Sequence, residues 1–137
     1  KLGHSHWDKV PKKALKNLKI LDNLDVKENR IRDLVTNDFA GLDNLDHLTL
    51  QHNEITLLRN QAFKGLPKLN SLYLDHNKIS TIEPNAFQGL EKSLQSLQLS
   101  PVLHSQWQRR YKYVCIYILL YHFYFNAWED IYYLIVW

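Results

Sequence analysis

Apolar side chains return along this chain with a step of 24 residues. Leu21, Leu24, Val26, Ile31, Leu34, Phe39 and Leu42 form one set. Leu45, Leu48, Leu50, Ile55, Leu58, Phe63 and Leu66 repeat it, and Leu69, Leu72, Leu74, Ile79, Ile82, Phe87 and Leu90 repeat it again. Asn29, Asn53 and Asn77 keep the same step, as do Gly41, Gly65 and Gly89. A fourth unit opens at Leu94, Leu97 and Leu99, one residue late because EKS stands where the earlier units have two residues. The frame also extends backwards, with Trp7, Val10, Leu15 and Leu18 in register and Ser5 in the asparagine slot. The chain therefore starts inside a repeat. With no methionine and no signal peptide at its start, it reads as a piece of a longer protein or a processed one.

This periodicity predicts a coil. One unit cannot bury its own apolar face, so neighbours must stack. Alternation around each LxL predicts a short strand with leucines inward, over residues 23–27, 47–51, 71–75 and 96–100. Stacked units make these a parallel sheet. After each strand the backbone turns inside the coil and needs polar partners. An asparagine amide offers both donor and acceptor, so Asn29, Asn53 and Asn77 are expected as a ladder of turn clamps. Phe39, Phe63 and Phe87 should stack as an aromatic spine on the convex side. Pro84 suits the first turn of a short convex helix. The domain reading is a solenoid over residues 1–100: a partial repeat at 1–20, repeats at 21–44, 45–68 and 69–93, and a truncated one at 94–100.

The unit LxxLxLxxNxIxxLxxxAFxGLxx resembles the 24-residue "typical" leucine-rich repeat of extracellular proteins such as Toll-like receptor ectodomains, Slit and chaoptin-like adhesion proteins. The resemblance covers residues 2–100 and implies an α/β solenoid with short parallel strands on its concave side and an irregular or short-helical convex side. It also implies a non-catalytic binding module of a secreted or cell-surface protein.

Charge narrows the partner. The whole chain carries +3, while residues 1–100 hold 14 Lys/Arg against 12 Asp/Glu. That balance argues against a surface that tracks phosphates, so nucleic acid is not expected. Lys9, Lys12, Lys13, Lys16 and Lys19 cluster in the first partial repeat and are read as a solvated convex face rather than an anion patch. The one cysteine, Cys115, lies outside the repeats, so no intramolecular disulfide forms. Extracellular relatives usually carry cysteine-rich caps, and neither is present here. No Asn-X-Ser/Thr sequon occurs. The extracellular reading thus rests on repeat type.

Binding on this architecture is expected on the outward positions of the concave strands. One row is Asn23, His47, Ser71 and Ser96; the next is Asp25, Thr49, Tyr73 and Gln98; the third is Lys27, Gln51, Asp75 and Ser100. From these, Asp25, Lys27, His47, Thr49, Gln51, Ser71, Tyr73 and Asp75 form the candidate binding face. Polar side chains of mixed sign around one aromatic suit a protein or peptide ligand. Beside them runs Glu28, His52, His76. Histidines on adjacent strands invite a zinc reading, but no third ligand is forced, so no metal or other cofactor is expected. Asp25, His47 and Ser71 invite a triad reading, but nothing supplies an oxyanion hole or a pocket.

At residue 102, where the fourth asparagine should fall, stands Val102 after Pro101, and the texture changes. Residues 101–137 hold 12 of the 17 aromatics and no glycine. A membrane anchor would make the protein a membrane-anchored receptor or adhesion protein. The apolar run 113–125 has 13 residues where about 20 are needed to span, and Arg109, Arg110 and Lys112 give the wrong orientation. Membrane association through the tail is therefore not favoured. A capping helix would cover the open end of the coil but leave aromatics on every face. The favoured reading is a tail that is not an evolved continuation, because the repeat frame breaks in mid-phrase.

Overall fold

A computed structural model describes residues 3–99 of the chain. The expectations placed on residues 101–137, whether anchor, cap or unrelated tail, and Ser100 at the end of the third row lie outside the described residues. Among the described residues no helix is long and apolar enough to cross a membrane.

The described chain is a succession of short strands and turns wound into a coil. In order these are α1 (Lys12–Leu15), β1 (Asn23–Asp25), β2 (Asp33–Leu34), β3 (His47–Thr49), β4 (Leu57–Leu58), β5 (Ser71–Tyr73), β6 (Thr81–Ile82) and β7 (Ser96–Gln98). The first sheet is parallel in the order β1-β3-β5-β7. Its register pairs Leu24 with Leu48, Leu48 with Leu72, and Leu72 with Leu97. The last pairing spans 25 residues instead of 24. The extra residue is absorbed in the turn before it: Leu69 N–H donates to Leu66, three residues back, whereas Leu94 N–H donates to Leu90, four back.

The strands are shorter than alternation predicts, three residues each. Their ladder nevertheless runs on. Val26 N–H donates to Thr49, Leu50 N–H to Tyr73 and Leu74 N–H to Gln98, at 3.0, 2.9 and 2.8 Å. Then the backbone swings into the left-handed region at Glu28, His52 and His76, with φ of 56°, 53° and 56°. That reversal ends each strand and turns the chain into the coil.

A second parallel sheet, β2-β4-β6, lies beyond each turn and was not legible as strand in the sequence. Two-residue strands are too short to show alternation. The convex side is built from turns, and residues 84–89 around Pro84 form turns where a short helix was expected. Among the described residues α1 alone is helical, at four residues.

The core is one cluster running the length of the coil. Leu48, Leu50, Ile55, Leu58 and Phe63 are fully enclosed, and their counterparts in neighbouring units are buried. Phe63 stacks between Phe39 and Phe87, with centroids 6.3 and 5.6 Å apart and ring planes within 13°. Offset stacking of this kind adds to the area each ring buries. At the core's edge, Trp7, Leu21, Leu97 and Leu99 are partly buried against it.

The asparagines close the turns. Asn53 Nδ2 donates to Leu50 and Gln51 in its own unit and to Val26 in the preceding one, while its Oδ1 accepts the Ile31 N–H. Asn77 repeats the pattern with Leu74, Asp75, Leu50 and Ile55. Asn29 accepts from Ser5 and Trp7 N–H and donates to Val26 and Lys27. Each clamp thus stitches two turns of the coil. Among the described residues no buried side-chain nitrogen or oxygen lacks a partner.

Candidate protein-binding face

Strand pairing sets the outward side chains in rows. Asn23, His47, Ser71 and Ser96 are aligned by register, as are Asp25, Thr49, Tyr73 and Gln98. Neighbours within a row sit about 4.8 Å apart, the inter-strand spacing. A ligand lying across the strands would therefore touch one side chain from each unit.

Exposure separates the members. Asp25, Lys27, His47, Thr49, Gln51, Tyr73 and Asp75 are half-buried, presenting part of their surface. Ser71 is not available: it is 6% exposed and its hydroxyl donates to Asn70 Oδ1 at 3.4 Å. Alternation points it outward as expected, but so small a side chain sinks between its larger neighbours. Ser71 is removed from the candidate face.

Several of the remaining groups are already engaged. Gln51 Nε2 donates to both oxygens of Asp75, at 2.7 and 2.9 Å. The pair ties β3's extension to β5's and holds the carboxylate in a fixed pose. Asp25 Oδ1 accepts the Lys27 N–H at 3.2 Å. His47 Nε2 lies 2.8 Å from Asp46 Oδ2. Tyr73 stands beside Thr49 and Gln98 in the middle of this polar field.

Two sharper readings of this face concern a relay and a metal. Asp25, His47 and Ser71 share neighbouring strands, yet they do not form a relay: the imidazole turns to Asp46, the carboxylate to its own chain and the hydroxyl to Asn70. His52 and His76 do meet, as parallel rings 4.2 Å apart with planes within 5°. Ring lone pairs lie in the ring plane, so stacked imidazoles direct them side by side rather than toward one ion. The stack continues the row in which His4 Nε2 contacts Glu28 Oε2 at 2.9 Å.

Coil, asparagine ladder and parallel sheet together describe a known repeat, and the leucine rich repeat family model matches residues 1–55 and 44–101. The chain belongs to the leucine-rich-repeat family. Among solved structures it is similar to the TLR13 chain of a TLR13–ssRNA13 complex, at 34% identity over 69% of this chain, with a TM-score of 0.67. It is also similar to human 5T4 (Wnt-activated inhibitory factor 1, trophoblast glycoprotein), at 26% identity over 84% of this chain, with a TM-score of 0.64. The chain spans 13% and 41% of those two proteins' lengths. No curated protein sequence matches it. One of these leucine-rich-repeat proteins was solved with single-stranded RNA, so repeat architecture does not by itself exclude a nucleic-acid ligand.

Proposed function

We propose that this leucine-rich-repeat segment is a non-catalytic module that binds a protein or peptide through its concave sheet, with Tyr73 at the centre of the contact. The observation that carries this is the row Asp25–Thr49–Tyr73–Gln98, which sets one half-buried aromatic among polar neighbours on a rigid ladder. Tyrosine offers large contact area at low entropic cost and is enriched where binding energy concentrates. Gln51 and Asp75 contribute a carboxylate already held in place, which lowers the ordering cost of a hydrogen bond to a ligand. His47, Thr49, Lys27 and Asp25 supply the polar rim.

An extracellular or cell-surface location fits the 24-residue repeat type and the likeness to a trophoblast glycoprotein. Antibody against the repeats, applied to intact and to permeabilised cells, tests it: staining that needs permeabilisation would contradict the location.

The binding reading is tested by probing arrays of purified extracellular domains with the full chain. A partner on the concave face loses affinity at least about tenfold with Tyr73→Ala, in line with an interface hot spot. A partner insensitive to Tyr73→Ala, Thr49→Arg and Asp75→Ala binds elsewhere and overturns the assignment.

A further inference from the structure

We propose a second docking site on this chain, a cationic groove beside the β2-β4-β6 sheet that takes a short acidic peptide segment of a partner protein carrying one apolar side chain between its carboxylates. It goes beyond the concave-face reading and shares no residue with that face.

The groove encloses about 700 Å³ between the first partial repeat and the two units after it. That is within the range of roughly 300–1,000 Å³ typical of ligand sites. Repeat register builds it. Pro11, Val35 and Arg59 occupy one slot in three successive units, 24 residues apart. Val10, Pro11 and Val35 form apolar lining, and Val35 is unusually open for a valine, at 41% exposure. Lys9, Lys13 and Arg59 stand around it, all exposed.

Charge decides the occupant. Lys12 Nζ is held by Asp38 Oδ1 at 2.7 Å, and the two charges offset each other. Among the described residues Lys9, Lys13 and Arg59 form no ion pair. Against them the lining sets Asp33 alone, so cations are in excess. Carboxylates are the matching partners, and an arginine can grip one with two parallel hydrogen bonds. The apolar lining distinguishes a peptide from a polyanion. A leucine or phenylalanine side chain gains by covering Val35 and Pro11, whereas a sulfated sugar or a phosphate chain gains nothing there. Lys9 and Lys13, read in sequence as part of a solvated face, are thereby given a partner.

The experiment is fluorescence anisotropy of the full chain with a labelled Glu-Glu-Leu-Glu-Glu peptide. Glu-Glu-Ser-Glu-Glu, an oligouridine and a heparin-derived oligosaccharide are the comparison ligands. The leucine peptide should bind saturably and more tightly than the serine peptide. The double variant Lys13→Ala/Arg59→Ala should weaken it by about tenfold or more, as loss of interfacial charge pairs does. Val35→Glu, which puts a carboxylate into the lining, should weaken it as well. Lys78→Ala/Lys92→Ala removes the same charge from exposed positions outside the groove and should leave binding unchanged. The proposal is overturned if the leucine peptide does not bind, if both double variants weaken it equally, or if oligouridine or the oligosaccharide binds more tightly and is displaced by the groove substitutions.

Discussion

Asn53 reaches across one full turn of the coil to Val26, its Nδ2 donating to that carbonyl at 3.1 Å. Its Oδ1 takes the Ile31 N–H at 3.1 Å, so the same amide fixes two points of the preceding unit. Asn53→Ala takes the acceptor from the Ile31 N–H in a site that is 5% exposed, while the Val26 and Leu50 carbonyls keep the amides of Asn29 and Asn77. A buried group left without its partner costs about 1–3 kcal/mol, and a loss in that range is expected here. Asn53→Asp should also destabilise, since the atom that replaces Nδ2 cannot donate to Val26, Leu50 or Gln51. Gln51→Ala removes a half-exposed link to Asp75 and should cost under about 1 kcal/mol. Urea denaturation of the variants checks the order, and equal midpoints for Asn53→Ala and Gln51→Ala would refute it.

Phe63 is the middle ring of the convex spine. Phe63→Ala removes stacking on both sides at once and opens a cavity where exposure is zero. A cost of about 3–5 kcal/mol is expected, as for buried phenylalanine truncations generally. Phe87 stacks on Phe63 and is 6% exposed, so Phe87→Ala should cost less. Thermal melting of the two variants decides, and a smaller shift for Phe63→Ala would place the centre of the spine elsewhere.

The clamps and the spine were legible because each rests on a residue type recurring at one slot, Asn29, Asn53 and Asn77 or Phe39, Phe63 and Phe87. Inward leucines were legible for the same reason. Burial of Ser71 was not, because alternation gives a side chain's direction and not the bulk of its neighbours. Nor was the β2-β4-β6 sheet, although Asp33–Leu34, Leu57–Leu58 and Thr81–Ile82 keep the 24-residue step. Their pairing comes from the stacking of units rather than from any strand pattern of their own. The stack of His52 on His76 goes with their shared left-handed turn, which no residue type in the repeat announces.

Gly65 and Gly89 occupy the same slot and should respond differently to one substitution. Both have φ of +97°, so any Cβ there adopts a strained backbone. At Gly65 that Cβ would also press on the Ala40 Cα at 3.2 Å, whereas at Gly89 it meets nothing within 4 Å. Gly89→Ala is expected to cost about 1 kcal/mol from the backbone alone. Gly65→Ala should cost clearly more, because adjacent turns of the coil must separate to admit the methyl. Chemical denaturation of the pair reads the difference, and matched losses would mean the contact with Ala40 relaxes freely.

Asp38 occupies the slot filled by Ala62 and Ala86, so a carboxylate sits where the coil otherwise buries a methyl group. Its side chain is 4% exposed, accepts the Val35 N–H at 2.8 Å and holds Lys12, whose side chain remains 50% exposed. The pair joins α1 in the partial repeat to the first full unit. Removing one partner of a buried pair leaves an uncompensated charge, while removing both often costs little. Lys12→Ala should therefore destabilise by about 1–2 kcal/mol, the value being reduced because the lysine is half in water. Asp38→Ala restores the alanine of the other units and should cost less, losing mainly the hydrogen bond to Val35. In the double variant, Lys12→Ala should add almost nothing to Asp38→Ala. A double-mutant cycle by urea denaturation measures that coupling. Additive losses would show that Lys12 and Asp38 act independently and that the partial repeat is held by its other contacts, the Asn29 clamp and the packing of Val10 and Leu15.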